Sequence, residues 1–260
     1  MAADFTEEFV DVGGSRIQML KGGSGEPLLL LHGAGGNAGW LRYVQALAGR
    51  FTVYAPSHPG FGLSDRPEWL ETIPDLASFY TWFLEQQGLE GVRAIGFSMG
   101  GWLAAEIAVN CRHAFSKLML VDAVGVKPRE GEIADIFIIS PAQVTELAFH
   151  DPSQAPEYDQ LYKQEPTPEQ VEIAERNREM SVRMCWKPYM YDLRLPDLLA
   201  RVNIPTKIVW GRQDQIVPLE CGQIYQRSIP GSELIVIDGC GHSPQVEKPD
   251  EFVRVALDFL

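Results

Sequence analysis

A strand, a sharp turn and a helix meet at Gly96-Phe97-Ser98-Met99-Gly100, and nothing else in the chain restricts its folding so tightly. The apolar run Val92–Ile95 leads into the turn and the helix-like segment Gly101–Asn110 leads out of it. A strand packed against the helix it feeds leaves no room for a Cβ at positions 96 and 100, which accounts for glycine at both. The serine at the apex is then lifted off a buried sheet on a strained backbone.

The flanking segments repeat the same unit. Phe9–Val12 and Arg16–Leu20 read as short strands joined by Gly13-Gly14-Ser15. Pro27–Leu31 is an unbroken apolar run, as a strand buried on both faces requires. Gly39–Leu47 reads as a helix and Thr52–Ala55 as a strand. Asp75–Gln87 has helical apolar spacing at Leu76, Phe79, Tyr80, Phe83 and Leu84, with Gly88 as its stop. Val92–Phe97 is a strand, Met99–Asn110 a helix and Lys117–Asp122 a strand. The rhythm returns late with strand Thr206–Trp210, helix Leu219–Ser228, strand Glu233–Ile237 and helix Pro249–Leu260. Eight strand candidates, mostly linked through helices, predict an α/β fold: a mostly parallel eight-stranded sheet with helices on both faces.

Between these stretches the pattern breaks. Residues 123–198 hold eight prolines and few strand-like runs, and Gln170–Met184 reads as a charged amphipathic helix. This predicts a helical insertion at 123–198 in a core made of 1–122 and 199–260. A chain of 260 residues is long enough for one core carrying such a cap.

Charge and cysteine usage narrow the partners. The formal charge of −13 repels phosphate backbones, so no nucleic-acid partner is expected. No run approaches the roughly 20 apolar residues that span a bilayer, and no membrane partner is expected. The acidic N-terminus Met1–Glu8 lacks the basic and apolar regions of a secretion signal. Cys111, Cys185, Cys221 and Cys240 have no C-x-x-C spacing and read as reduced thiols. A cytoplasmic protein is expected.

A serine hydroxyl is a poor nucleophile at neutral pH. It needs a base, usually histidine, and a carboxylate that holds the imidazole in one tautomer. After a strand–turn–helix serine, the chain order is serine, acid, histidine. His242, in Gly239-Cys240-Gly241-His242-Ser243, follows the last strand and opens at the sheet edge where Ser98 emerges. His32, His58, His113 and His150 read as structural or surface residues. Asp214, just past strand Thr206–Trp210, is the preferred acid. Asp122 and Asp238 are its rivals, and Cys240 is a weaker rival nucleophile. An oxyanion formed at Ser98 needs preorganised donors, expected from the backbone N–H groups of Met99 and Ala34. Gly35 of the same loop and Met184, Trp186 and Tyr189 of the insertion are candidate substrate contacts. No metal-ligand cluster such as H-E-x-x-H occurs, and no metal or organic cofactor is implied.

Together these residues resemble the α/β-hydrolase fold enzymes along essentially the whole chain. His32-Gly33-Ala34-Gly35-Gly36…Trp40 looks like the family's H-G-x-G oxyanion loop, and Pro59-Gly60-Phe61-Gly62-Leu63-Ser64 like its P-G-x-G-x-S turn. Gly96–Gly100 resembles the nucleophile elbow; Gly211…Asp214 and Gly241-His242…Glu247…Pro249 resemble the acid and histidine loops. The resemblance implies a cap over the site and a small-molecule ester substrate cleaved through an acyl-enzyme. An acyl lactone, including N-acyl homoserine lactones, and a ring-fission product cleaved at a C–C bond are the alternatives. Acyl transfer and a ligand receptor on the same fold are more distant ones. Ser98 in place of Asp argues against dehalogenase or epoxide hydrolase chemistry. Ser57-His58, where the family often has Asp before the proline, and Ser243-Pro244, where C–C hydrolases often carry Trp, are departures.

Overall fold

The apolar runs become the strands of a single sheet. The computed structural model describes residues 4–260; Met1–Ala3, the start of the acidic N-terminus, lie outside the described residues. The strands are β1 (Phe5–Val12), β2 (Ser15–Gly23), β3 (Glu26–Leu31), β4 (Phe51–Pro56), β5 (Val92–Phe97), β6 (Phe115–Val121), β7 (Thr206–Gly211) and β8 (Glu233–Ile237). Their order is β1-β2-β4-β3-β5-β6-β7-β8. β1/β2 and β2/β4 are antiparallel and every other pair is parallel.

The helices are α1 (Arg42–Ala48), α2 (Ile73–Gln86), α3 (Met99–Asn110), α4 (Pro141–Ala148), α5 (Tyr158–Tyr162), α6 (Pro168–Cys185), α7 (Leu195–Leu198), α8 (Leu219–Ser228), α9 (Pro244–Glu247) and α10 (Pro249–Phe259). Residue alternation along the strands makes two cores. Leu29, Leu31, Ala94, Leu118, Leu120 and Ile208 join Leu76, Phe79 and Phe83 of α2 and Leu103 and Ile107 of α3. Leu28, Leu30, Ile95, Met119, Val121 and Val209 join Val44 and Leu47 of α1 and Phe252 and Ala256 of α10. Burial on both faces is why these strands carry no polar alternation.

Some element boundaries differ from expectation. β1 begins at Phe5, pairing in register with Gly22; the exposed Glu7 and half-buried Glu8 of this edge strand mask it from a search for apolar runs. α1 starts at Arg42, not Gly39. Asn37 keeps the preceding segment out of the helix by donating to the Ala55 carbonyl at 2.8 Å and accepting from Gly39 N–H at 3.0 Å in a local turn.

Between β6 and β7 run α4, α5, α6 and α7 with two short 3-10 turns. Ser140 caps α4 and Thr167 caps α6, each in a reciprocal box with Gln three residues on and with proline at the first helical position. Strand order reverses between β3 and β5. The crevice at the carboxyl end of such a switch is where an open α/β sheet binds ligands.

Candidate active site

Ser98 sits between β5 and α3 with φ +51°, a left-handed value that costs a non-glycine residue about 1–3 kcal/mol. The turn is locked by its surroundings. A Cβ on Gly96 would run into the Gly100 carbonyl, and one on Gly100 into the Leu31 and His32 carbonyls. Ser98 N–H donates to Val121 O at 2.9 Å. Met99 begins α3, so its N–H has no acceptor within the helix.

On one side of Ser98 lies the loop that leaves β3. It passes so close that a Cβ on Gly33 would stand 3.2 Å from Ser98 Cβ. Four consecutive carbonyls of this loop accept hydrogen bonds. His32 O faces His58 Nε2 at 2.9 Å and Gly33 O faces His32 Nδ1 at 2.8 Å. Ala34 O lies 3.0 Å from Ser181 Oγ, which shares its proton with Asn177 O at 2.8 Å, and Gly35 O accepts from Asn177 Nδ2 at 2.9 Å. Asn177 Oδ1 also accepts from Gly62 N–H at 2.9 Å. The two imidazoles stack at 3.6 Å between centroids, and His32 Nε2 accepts from His58 N–H. That fixes His32 with its proton on Nδ1. Tyr80 Oη is 2.6 Å from His58 Nδ1. Desolvation brings His32 down to about 4 and pushes His58 well below the usual histidine range, so both rings are neutral at pH 7.

Opposite stand the acid and histidine loops. His242 Nδ1 is 2.7 Å from Asp214 Oδ2, and the Asp214 side chain is wholly buried. Asp214 Oδ1 accepts from the N–H groups of Ile216 at 2.8 Å and Val217 at 2.9 Å. Glu247, fully buried, accepts from Gly241 N–H at 2.7 Å and Asp151 N–H at 2.6 Å, and His242 N–H donates to Ala148 O at 2.8 Å. The histidine loop is thereby tied to the segment around α4. Asp122, with φ +44°, places Oδ1 on Gly211 N–H at 2.9 Å. Asp238 is exposed and pairs with Arg212.

Residues 28–255 match the family described as Alpha/beta hydrolase. The chain belongs to the alpha/beta hydrolase family. It is 29% identical over 266 residues to the 2-hydroxy-6-oxo-6-phenylhexa-2,4-dienoate hydrolase of Comamonas testosteroni, covering 94% of this chain and 91% of the relative. The solved hydrolase of the same name from Rhodococcus sp. strain RHA1 superposes with a TM-score of 0.80 at 24% identity, covering 99% of each chain. A structure described as a membrane phospholipase A, a bacterial virulence factor, superposes with a TM-score of 0.81 at 25% identity, covering 98% of this chain and 85% of that one.

In this alpha/beta hydrolase, Ser98, His242, Ala34, Gly35 and Tyr189 line one cavity of about 600 Å³. Its exposed wall surface is mostly apolar, with Ile133, Ile136, Val144, Ile173 and Ile216 contributing. Gln160, Gln164 and Gln170, all exposed, mark its mouth. Among the described residues that line it, none is Asp, Glu, Lys or Arg. The structure does not bring Met184 or Trp186 to this cavity. Met184 is buried in the core and Trp186, at the end of α6, is 61% exposed. The face that reaches the cavity is about two to four turns upstream of Met184, at Gln170, Ile173, Ala174 and Asn177. Tyr189 lines the cavity, but its hydroxyl is committed to Ala134 O at 2.6 Å and Ile136 N–H at 2.9 Å.

All four cysteines are free thiols. Cys240 is buried, with its thiol pushed far up by desolvation, and makes a poor nucleophile. Asp122, Asp214 and His242 bring one donor atom each within 4.8 Å of one another. Asp214 already accepts three hydrogen bonds, one of them from His242. No helix among the described residues is long and apolar enough to cross a membrane. Sequence reasoning missed Asn177, Ser181 and the contacts of Glu247; only Glu247, two residues before Pro249, carried a family signal.

Proposed function

We propose that the protein is a serine hydrolase of uncharged carboxylic esters. One observation carries this reading: a serine on a strained turn shares an uncharged cavity with a histidine whose Nδ1 is committed to a buried carboxylate at 2.7 Å. With Nδ1 so engaged, Nε2 is the nitrogen left to take the Ser98 proton. Ser98 Oγ attacks the ester carbonyl. The oxyanion is held by the N–H groups of Met99 and Ala34, and the imidazolium by Asp214. Collapse of the tetrahedral intermediate expels the alcohol, which leaves with the proton from Nε2. Water, deprotonated by His242, then hydrolyses the acyl-enzyme. Residues 123–198 act as a cap on the core formed by 1–122 and 199–260.

The dienoate hydrolase relative favours a second reading, C–C bond cleavage. A dienoate carries a carboxylate. Burying an unpaired anion among these apolar walls costs several kcal/mol, and the lining residues offer no lysine or arginine to pair with it. A neutral ester or acyl lactone meets no such penalty. The deciding experiment is a kinetic panel of p-nitrophenyl esters of rising chain length, acyl lactones and a vinylogous diketone acid, with Ser98→Ala as blank. Ester turnover that vanishes in Ser98→Ala is expected. Faster cleavage of the diketone acid than of every ester would replace the first reading with the second.

A further inference from the structure

Asp122 is a buried carboxyl beside the Asp214–His242 pair to which the proposed reaction gives no task. It is 1% exposed at the end of β6, on a left-handed backbone that a non-glycine residue adopts only when its surroundings impose it. Its two oxygens differ. Oδ1 accepts the Gly211 N–H at 2.9 Å, whereas Oδ2 is buried with no acceptor bond to any described residue. A buried oxygen without a donor is costly if it is anionic. It is well served if it carries a proton and a carboxylate stands beside it. The Asp214 carboxylate is that neighbour.

We propose that Asp122 is a positioning residue: its Oδ2–H donates a hydrogen bond to the Asp214 carboxylate and holds it in line with His242 Nδ1. The division of labour fits both oxygens, with Oδ1 as the carbonyl that accepts and Oδ2 as the hydroxyl that donates. Two carboxyls this close and this buried do not both ionise, and the one with three N–H donors keeps the charge. Burial first, and the Asp214 charge second, push Asp122 well above the usual aspartate range. Glu247 and Cys240 also face it; Glu247 raises it further, and neither offers it a positive charge. His242 is the cation-forming group of the cluster, and it is bonded to Asp214. The hydrogen bond withdraws charge from Asp214 and so limits how firmly the imidazolium is held between the two proton transfers.

The proposal rests on the serine-hydrolase reading for its kinetic consequences only, and two of its tests need no substrate. Asp122→Ala is expected to lower kcat about ten- to a hundredfold with little change in KM. It should also move the acid limb of the kcat/KM pH profile upward, because Asp214 then holds its full charge against His242. Asp122→Asn, whose amide both accepts from Gly211 and donates to Asp214, restores most of the rate. An infrared band of a protonated carboxyl is expected in the wild type and absent from Asp122→Asn. An acid kept neutral by the fold contributes stability that is present below its unfolded value and lost as pH rises through its raised one. The melting temperature of Asp122→Asn should therefore gain on the wild type as pH rises. An alanine variant with unchanged kcat and pH profile, or an asparagine variant as impaired as alanine, would overturn the proposal. So would an infrared spectrum without that band, or a melting difference that does not change with pH. If alanine does not fold, the asparagine readouts decide.

Discussion

The two loops that flank Ser98 are held by opposite chemistry. On the β3 side, the carbonyls of residues 32 to 35 are all engaged by neutral donors from His58, His32, Ser181 and Asn177. On the β7–β8 side, backbone N–H groups of Gly211, Ile216, Val217 and Gly241 are engaged by the carboxyls of Asp122, Asp214 and Glu247. Fixing carbonyls by their oxygens turns the N–H of Ala34 into the polarity the first loop can offer, while the Gly36 N–H is taken by Gly33 O. Fixing N–H groups with carboxyls places buried acidic groups behind the second loop. In the serine-hydrolase reading proposed above, a developing oxyanion and a developing imidazolium call for donors on one side of the serine and acceptors on the other.

The comparison breaks most visibly at the acid. Asp214→Asn keeps the shape but removes the charge that orients His242, and kcat for p-nitrophenyl butyrate should fall about 10⁴-fold. If Asp214→Asn is nearly as active as the wild type, the negative side is scaffold only. A smaller effect is expected on the other side. Asn177→Ala removes a donor to Gly35 O and an acceptor from Gly62 N–H, and kcat should fall about ten- to a hundredfold while KM changes less. Ser181→Ala removes a hydroxyl whose one proton is shared between Ala34 O at 3.0 Å and Asn177 O at 2.8 Å, and should cost less, a few-fold in kcat by comparison with one neutral hydrogen bond of about 1 kcal/mol. Equal losses of substrate affinity and rate would mean that these residues shape the cavity instead of the loop.

The smallest effect is a pH signature of the histidine pair. His32 and His58 are neutral in the fold and bind protons more readily when unfolded. Their contribution is complete above the ordinary histidine value of 6.5 and is lost as pH falls toward about 4. Thermal melts from pH 7 down to 4 should show a progressive loss that His58→Gln reduces. A slope unchanged by that substitution would assign the acid lability to other groups.

Much of this was legible in the residues. Runs such as Leu28–Leu31 and the turn at Ser98 leave few options, because a doubly buried strand and a glycine-flanked apex each demand one residue pattern. Ser98, Asp214 and His242 each follow a strand at its carboxyl end, so chain order alone brought them to one edge. The insertion was harder to read. Met184 lies on the same buried face as Asn177, but seven residues along a helix is about 10 Å, enough to move it from the cavity into the core. Asn177 and Ser181 belong to no motif, and their importance comes from which carbonyls happen to lie opposite. The sequence favours Asp214 over its rival Asp122 as the acid, and in the structure it is Asp214 Oδ2 that lies against His242 Nδ1.

Glu247 joins two parts of the chain that a modular view would treat as separable. One of its oxygens serves the loop that carries His242 and the other serves Asp151, beyond α4. Grafting a foreign segment between β6 and β7 is therefore not a neutral exchange of specificity. It rewires the anchorage of the histidine, and a transplant needs a backbone N–H to replace that of Asp151 and a carbonyl to replace that of Ala148.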